Sequence, residues 1–157
     1  MSGRGLSVIV QDEPLALPYR VQHEGSDSLS SKLDEPQALI YACIQSRHHD
    51  GHVRQRQIER LAAASEPWVV PFVVLLCSEY VVEILQDIEA RLPLQDKHVY
   101  GTVLRGNPAF LDLAQQRMTC YRDCYYRRRW VRSETYVGFR LFKRFRDWQV
   151  SGKDLAS

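Results

Sequence analysis

At 157 residues, 45% hydrophobic and 25% charged, the chain is long enough for one sizeable core, and its composition is that of an ordinary soluble globular protein. No run of about 18 apolar residues occurs, so no membrane-spanning helix is expected, and the opening MSGRGLSVIVQDEP reads as no secretory signal. The net charge of +2 conceals an asymmetry: residues 117–146 hold ten basic side chains against two acidic ones, a net +8 that leaves −6 for the remainder. Such a basic segment points to an acidic counterpart, whether a protein, a nucleic acid or the chain's own acidic part.

Residues 1–33 carry scattered Gly and Pro and a serine-rich patch, and their apolar runs at 6–10 and 15–21 are open to a reading as short extended segments but do not alternate cleanly. They read as an irregular N-terminal arm lying on the body. Residues 34–150 read as a single helical domain and 151–157 as a flexible tail. A first helix is expected at Pro36, capped by Asp34 or Glu35, with Leu39, Ile40, Cys43 and Ile44 inward. RHHDG breaks it, and Asp50 is placed to cap a second helix over 51–64. There Val53, Ile58, Leu61 and Ala62 face inward, and Arg54, Arg56, Glu59 and Arg60 are solvated.

The stretch 67–92 organises the rest. An almost unbroken apolar run at 68–76 predicts a buried helix, and Val81, Ile84, Leu85, Ile88 and Leu92 predict one face of a second. Ser78 is expected to cap that second helix, with Glu79 favoured by the positive end of its dipole. Pro36 and Pro67 open the two first helices 31 residues apart; Val53 and Val81, 28 apart, are taken as matching starts of the partner helices. A period near 30 is the mark of a repeat whose helix pairs bury their faces on one another.

On these residues a family comes into view. DGHVRQRQIERLA resembles the second helix of a HEAT-like repeat, and PWVVPFVVLL resembles a first helix, with two prolines four apart at its start. The resemblance covers about residues 36–92. It implies an all-α fold: a short stack of antiparallel helix pairs serving as a partner-binding surface, as in most such proteins, a few of which bind DNA. The chain departs from the pattern at Val82, where the arginine matching Arg54 is expected.

Residues 93–106 read as a connection holding a short helix at 97–104. Asn107 then caps, and Pro108 starts, a long helix. Its apolar stripe runs Leu111, Ala114, Met118, Tyr121, Tyr125, flanked by Phe110, Leu113, Cys120 and Cys124; Gln115, Gln116, Arg122, Tyr126 and Arg129 lie opposite. For 134–148, a helix capped by Ser133 puts Val137, Leu141, Phe145 and Trp148 on one face and is favoured over a strand reading of TYVGFRLF. The four cysteines (Cys43, Cys77, Cys120, Cys124) form no CxxC pair and sit in apolar helical patterns, the usage of buried, reduced thiols in a cytoplasmic protein.

Three functional readings compete. Arginine interleaved with aromatic residues dominates protein hot spots, and the anchors expected on that basis are Tyr126, Arg127, Arg129, Trp130 and Arg132. The leading reading is therefore a non-catalytic protein-protein interaction module, of the adaptor or bacterial immunity type. The second is nucleic-acid binding by the basic helix at 117–132. An internal role is also open, with Arg128 and Arg132 paired to acids of the helix at 79–89. The third is a metal-dependent enzyme at His48, His49 and His52, whose helical geometry the Asp50-Gly51 turn breaks. The carboxylate pair Glu83 and Asp87 is read as solvated. No Walker A, GxSxG or dinucleotide glycine motif is present, and no catalytic residue, metal or cofactor is expected.

Overall fold

The computed structural model describes residues 5–22 and 31–151, leaving out the side chain of Ser133. The described residues are mostly helical, with one small sheet among them. The helices are α1 (Glu35–Gln45), α2 (Gly51–Arg56), α3 (Ile58–Ala63), α4 (Val70–Cys77), α5 (Val82–Arg91), α6 (Lys97–Gly106), α7 (Pro108–Tyr121) and α8 (Val137–Ser151). None of the described helices is long and apolar enough to cross a membrane.

The sheet corrects the reading of an irregular arm. β1 (Leu6–Val10) and β2 (Glu13–Leu17) pair antiparallel from Leu6 opposite Leu17 to Val10 opposite Glu13. Val8, Val10 and Leu17 share the buried face. Gln11 and Asp12 make the two-residue turn with φ of 52° and 64°, the left-handed conformation that hairpins favour but that usually recruits Asn and Gly. Asn107 finishes the sheet. It accepts from Ile9 N at 2.8 Å and donates to Ile9 O at 2.7 Å, standing where a third strand would. Opposite Ile9 lies Pro14, which has no N–H to offer along the other edge. Residues 1–4, 23–30 and 152–157, and with them most of the expected tail, lie outside the described residues.

At α1 the local signals act as written. Asp34 accepts from Gln37 N and the Gln37 side chain bonds back to Asp34 N, a complete capping box before Pro36. The buried face is Ala38, Leu39, Ala42 and Cys43; Ile40 and Ile44, expected inside, are exposed. Asp50 caps α2 through His52 N, and the predicted 51–64 helix breaks at Gln57 into α2 and α3.

All eight residues of α4 are buried, as the unbroken apolar run requires, and α4 packs on α3, α5, α6 and α7. Ile84, Leu85, Ile88 and Leu92 of the following segment are buried. The helix itself starts later than expected, because Ser78 caps nothing: its hydroxyl donates to Leu75 O. Val81 takes the N-cap position. Counted from the caps Asp50 and Val81, the second helices are 31 residues apart, the same interval that separates Pro36 from Pro67. The pairing of Val53 with Val81 is thus three residues out of register, and the counterpart of Arg54 is the buried Leu85, not Val82. α5 packs between α3 and α8, α6 lies along α8, and α4 neighbours α7.

Within the connection at 93–106 the helix expected at 97–104 is present as α6, capped by Asp96 through His98 N and Val99 N and running on to Gly106. It lies so close to α8 that a Cβ added to Gly101 would collide with the Trp148 carbonyl oxygen. In α8 the helical reading holds: Val137, Leu141, Phe145 and Trp148 are buried, with Tyr100 stacked on Phe145 and edge-on to Trp148. A 3-10 turn, Ser133–Thr135, precedes the helix; the expected Ser133 cap concerns a side chain outside the described residues.

Candidate functional site

After Met118 the long helix changes character. Arg122–Tyr126 is a π-helical turn, and the residues turned inward are Met118, Arg122, Tyr126 and Trp130, four apart. A four-residue spacing overshoots a 3.6-residue turn, and the wider π turn takes up the drift. The 3.6-residue reading placed Arg122 and Tyr126 outside and Tyr125, Cys120 and Cys124 inside. The structure reverses each: Arg122 is buried, Tyr126 and Trp130 pack on the core, and Tyr125 and both cysteines are exposed. Only Cys43 and Cys77 are the expected buried thiols, and burial pushes Cys43 up to about 12.

Arg122 holds the turn together. Its guanidinium donates to Trp130 O at 2.6 Å and Val131 O at 2.9 Å and meets Asp123 at 2.8 Å, which closes the loop around residues 127–129. The Tyr126 hydroxyl donates to Tyr80 O, and its ring stacks on Tyr136 at 5.8 Å and meets Trp130 edge-on at 5.5 Å. Burial pushes the Tyr136 hydroxyl up to about 12. Of the five expected anchors, Tyr126 and Trp130 therefore support the face from behind, and Arg127, Arg129 and Arg132 are exposed in the segment that follows it. Arg129 lies over the Trp130 ring at 4.4 Å.

What the turn pushes outward is a tyrosine surface. Tyr80, Tyr121 and Tyr125 touch one another at ring separations of 5.7–6.3 Å. Tyr19 joins them through Arg117, whose guanidinium sits 5.9 Å from its ring. Tyr19, Tyr80 and Tyr125 are 55%, 43% and 66% exposed, too much for core residues and clustered in one place. Tyr121 is driven above its ordinary value by burial first, then by the nearby Tyr19 and Glu79.

Beneath the tyrosines lies a buried carboxylate. Glu79, expected at a solvated helix start, is 3% exposed. Arg20 grips it with both Nη atoms at 2.8 and 2.7 Å, Arg47 donates to it at 3.0 Å, and Arg54 lies 3.9 Å away. Burial alone would raise its carboxyl, but the Arg20 hydrogen bonds and the charges of Arg20, Arg47 and Arg54 outweigh it and hold it below its ordinary value. Arg47 also donates to Pro18 O and Tyr19 O, and Val21 N donates to Arg47 O, so the segment that presents Tyr19 is tied to the body. Arg54, expected in solvent, is fully buried and donates to His48 O and His49 O across the α1–α2 turn. The acids at 79–89 do find internal arginines, though others than expected: Glu79 takes these three and Glu89 takes Arg140, not Arg128 or Arg132.

The histidine segment is organised otherwise. His48 is buried, accepts from Asp50 N at Nδ1 and stacks on His49 at 4.4 Å. No group of three His, Cys, Asp or Glu among the described residues is placed to hold a metal ion. Asp87 accepts from Gln55. A cleft of about 850 Å³ between α1 and α3 is lined by Glu35, Glu59 and Glu66 but also by Arg56 and Arg60, so it presents no single sign of charge.

Against protein-family models, curated proteins and solved structures, the chain finds no match. What the site offers is recognition chemistry: amphipathic ring faces, phenolic hydroxyls and guanidinium forks on a braced support.

Proposed function

We propose that the chain is a non-catalytic protein-binding module, a short HEAT-like stack whose C-terminal end carries the binding face. The single observation behind this is the mutually touching trio Tyr80, Tyr121 and Tyr125, with Tyr80 and Tyr125 exposed and Tyr121 half-buried, joined through Tyr126 and Trp130 to Arg129. Such residues supply large contact area at little rotamer entropy, and here the support is already rigid, so docking spends little on ordering. The packing of α5 between α3 and α8 and the 31-residue interval support the stacked-pair reading.

The test is a photo-crosslinker introduced in place of Tyr125, or in place of Ile44 on α1, in the native host. A protein crosslinked from position 125 and not from position 44 supports the reading; crosslinking from 44 alone refutes it. A nucleic-acid reading keeps one observation in its favour, the exposed Arg127, Arg128 and Arg129 beside tyrosines able to stack on bases. Its signature is affinity for a single-stranded oligonucleotide that falls steeply with salt and disappears when the three arginines become Ala.

A further inference from the structure

The proposed face has a charge as well as a shape, and the two together specify the chemistry of its occupant. Arg127, Arg128, Arg129 and Arg132 are exposed, and no ion pair to an acid of the described residues holds any of them. The neighbouring Asp123 is already engaged by Arg122. The arginines that the fold needs for itself are different ones: Arg20, Arg47, Arg54, Arg122, Arg140 and Arg146 all meet carboxylates or carbonyls. The segment at 127–132 is therefore a surplus of cations beside a patch of rings, on a chain whose remaining residues carry the net −6.

On the reading that this face binds a partner, we infer that the partner is an acidic protein segment. Its Asp and Glu carboxylates meet Arg127–Arg129 and Arg132, and an apolar or aromatic side chain beds on Tyr80, Tyr121 and Tyr125. Carboxylates suit the planar guanidinium fork bidentately. Two features favour protein over a nucleic-acid strand. The three tyrosines pack against one another, so their ring faces are partly occupied and form a continuous patch instead of separate platforms for successive bases. The whole chain, at pI about 8.4, also lacks the strongly basic balance of nucleic-acid-binding domains.

The test is selection of a random 12-residue peptide library displayed on phage against the full chain, with counter-selection on Tyr125→Ala and on the triple variant R127E/R128E/R129E. The expected outcome is enrichment of peptides rich in Asp and Glu around an aromatic or leucine. Their binding should drop at least tenfold for either variant and between 50 and 300 mM salt, an effect of screening exposed charges. Enriched peptides that are neutral or basic yet still lost with Tyr125→Ala overturn the acidic partner and leave the face standing. Peptides indifferent to both variants overturn the face as well, as does the absence of any enrichment. An oligo-dT strand that binds tighter than every selected peptide and competes with them overturns the protein assignment in favour of nucleic acid.

Discussion

Removing the Glu79 carboxylate gives the sharpest structural test, because three guanidiniums converge on one side chain. In Glu79→Gln the shape survives, but Arg47 and Arg54 keep their charges in a dry interior with only carbonyls and an amide to meet them. Breaking one partner of a buried ion pair costs about 3–5 kcal/mol, against a total stability of about 5–15 kcal/mol for a domain. At roughly 2–4 °C per kcal/mol for a chain of this size, Tm should fall by about 6–20 °C. The matched control is Glu89→Gln, whose Arg140 partner is half-exposed, and it should cost at most about 1 kcal/mol. Acidity gives the second arm. The folded Glu79 carboxyl lies below its ordinary value, so its contribution is complete above that ordinary value and is lost as pH falls through the folded one. The difference between wild type and Glu79→Gln in urea denaturation should therefore be large at pH 7 and shrink on acidification below that point. A Glu79→Gln loss no greater than that of Glu89→Gln, or a gap that widens in acid, refutes the reasoning.

Further outcomes can be checked in the same denaturation assays and with a thiol reagent. Gly101→Ala should destabilise by about 1–3 kcal/mol because its Cβ meets the α8 backbone, whereas Gly106→Ala, with open space around it, should be neutral or stabilising by up to about 1 kcal/mol. Replacing the left-handed pair Gln11-Asp12 by Asn-Gly should raise Tm by a few degrees, corresponding to about 1 kcal/mol of relieved strain; a lower Tm would contradict the turn geometry. Under native conditions a charged aromatic disulfide reagent should titrate Cys120 and Cys124 quickly and reach Cys43 and Cys77 only on unfolding.

The residues show why some of this was legible beforehand and some was not. Asp34, Pro36 and Asp50 act through local backbone rules, so the helix starts they mark could be read directly. The spacing of Ile84, Leu85, Ile88 and Leu92 could be read because apolar periodicity reports burial. Arg54 and Glu79 escape the same rule: their type predicts solvent, and only the convergence of residues 20, 47, 54 and 79 in space makes burial affordable. The hairpin was hidden because its turn uses Gln-Asp, where Asn-Gly is the recognisable signal. The tyrosine face was hidden by one event, the π turn, which shifts the helix phase after Met118 and exchanges Tyr125 for Tyr126. No spacing in RDCYY announces that shift, though the four-residue interval from Met118 through Arg122 and Tyr126 to Trp130 was there to be counted.

The central claim is that Tyr125 belongs to a binding face while contributing little to the fold, and one titration tests it most directly. With the partner identified by crosslinking, calorimetry should show Tyr125→Ala weakening binding by about 2 kcal/mol or more, roughly 30-fold, with Tm unchanged within a degree or two. The control Ile44→Ala should bind as wild type. Undiminished affinity for Tyr125→Ala would contradict the account.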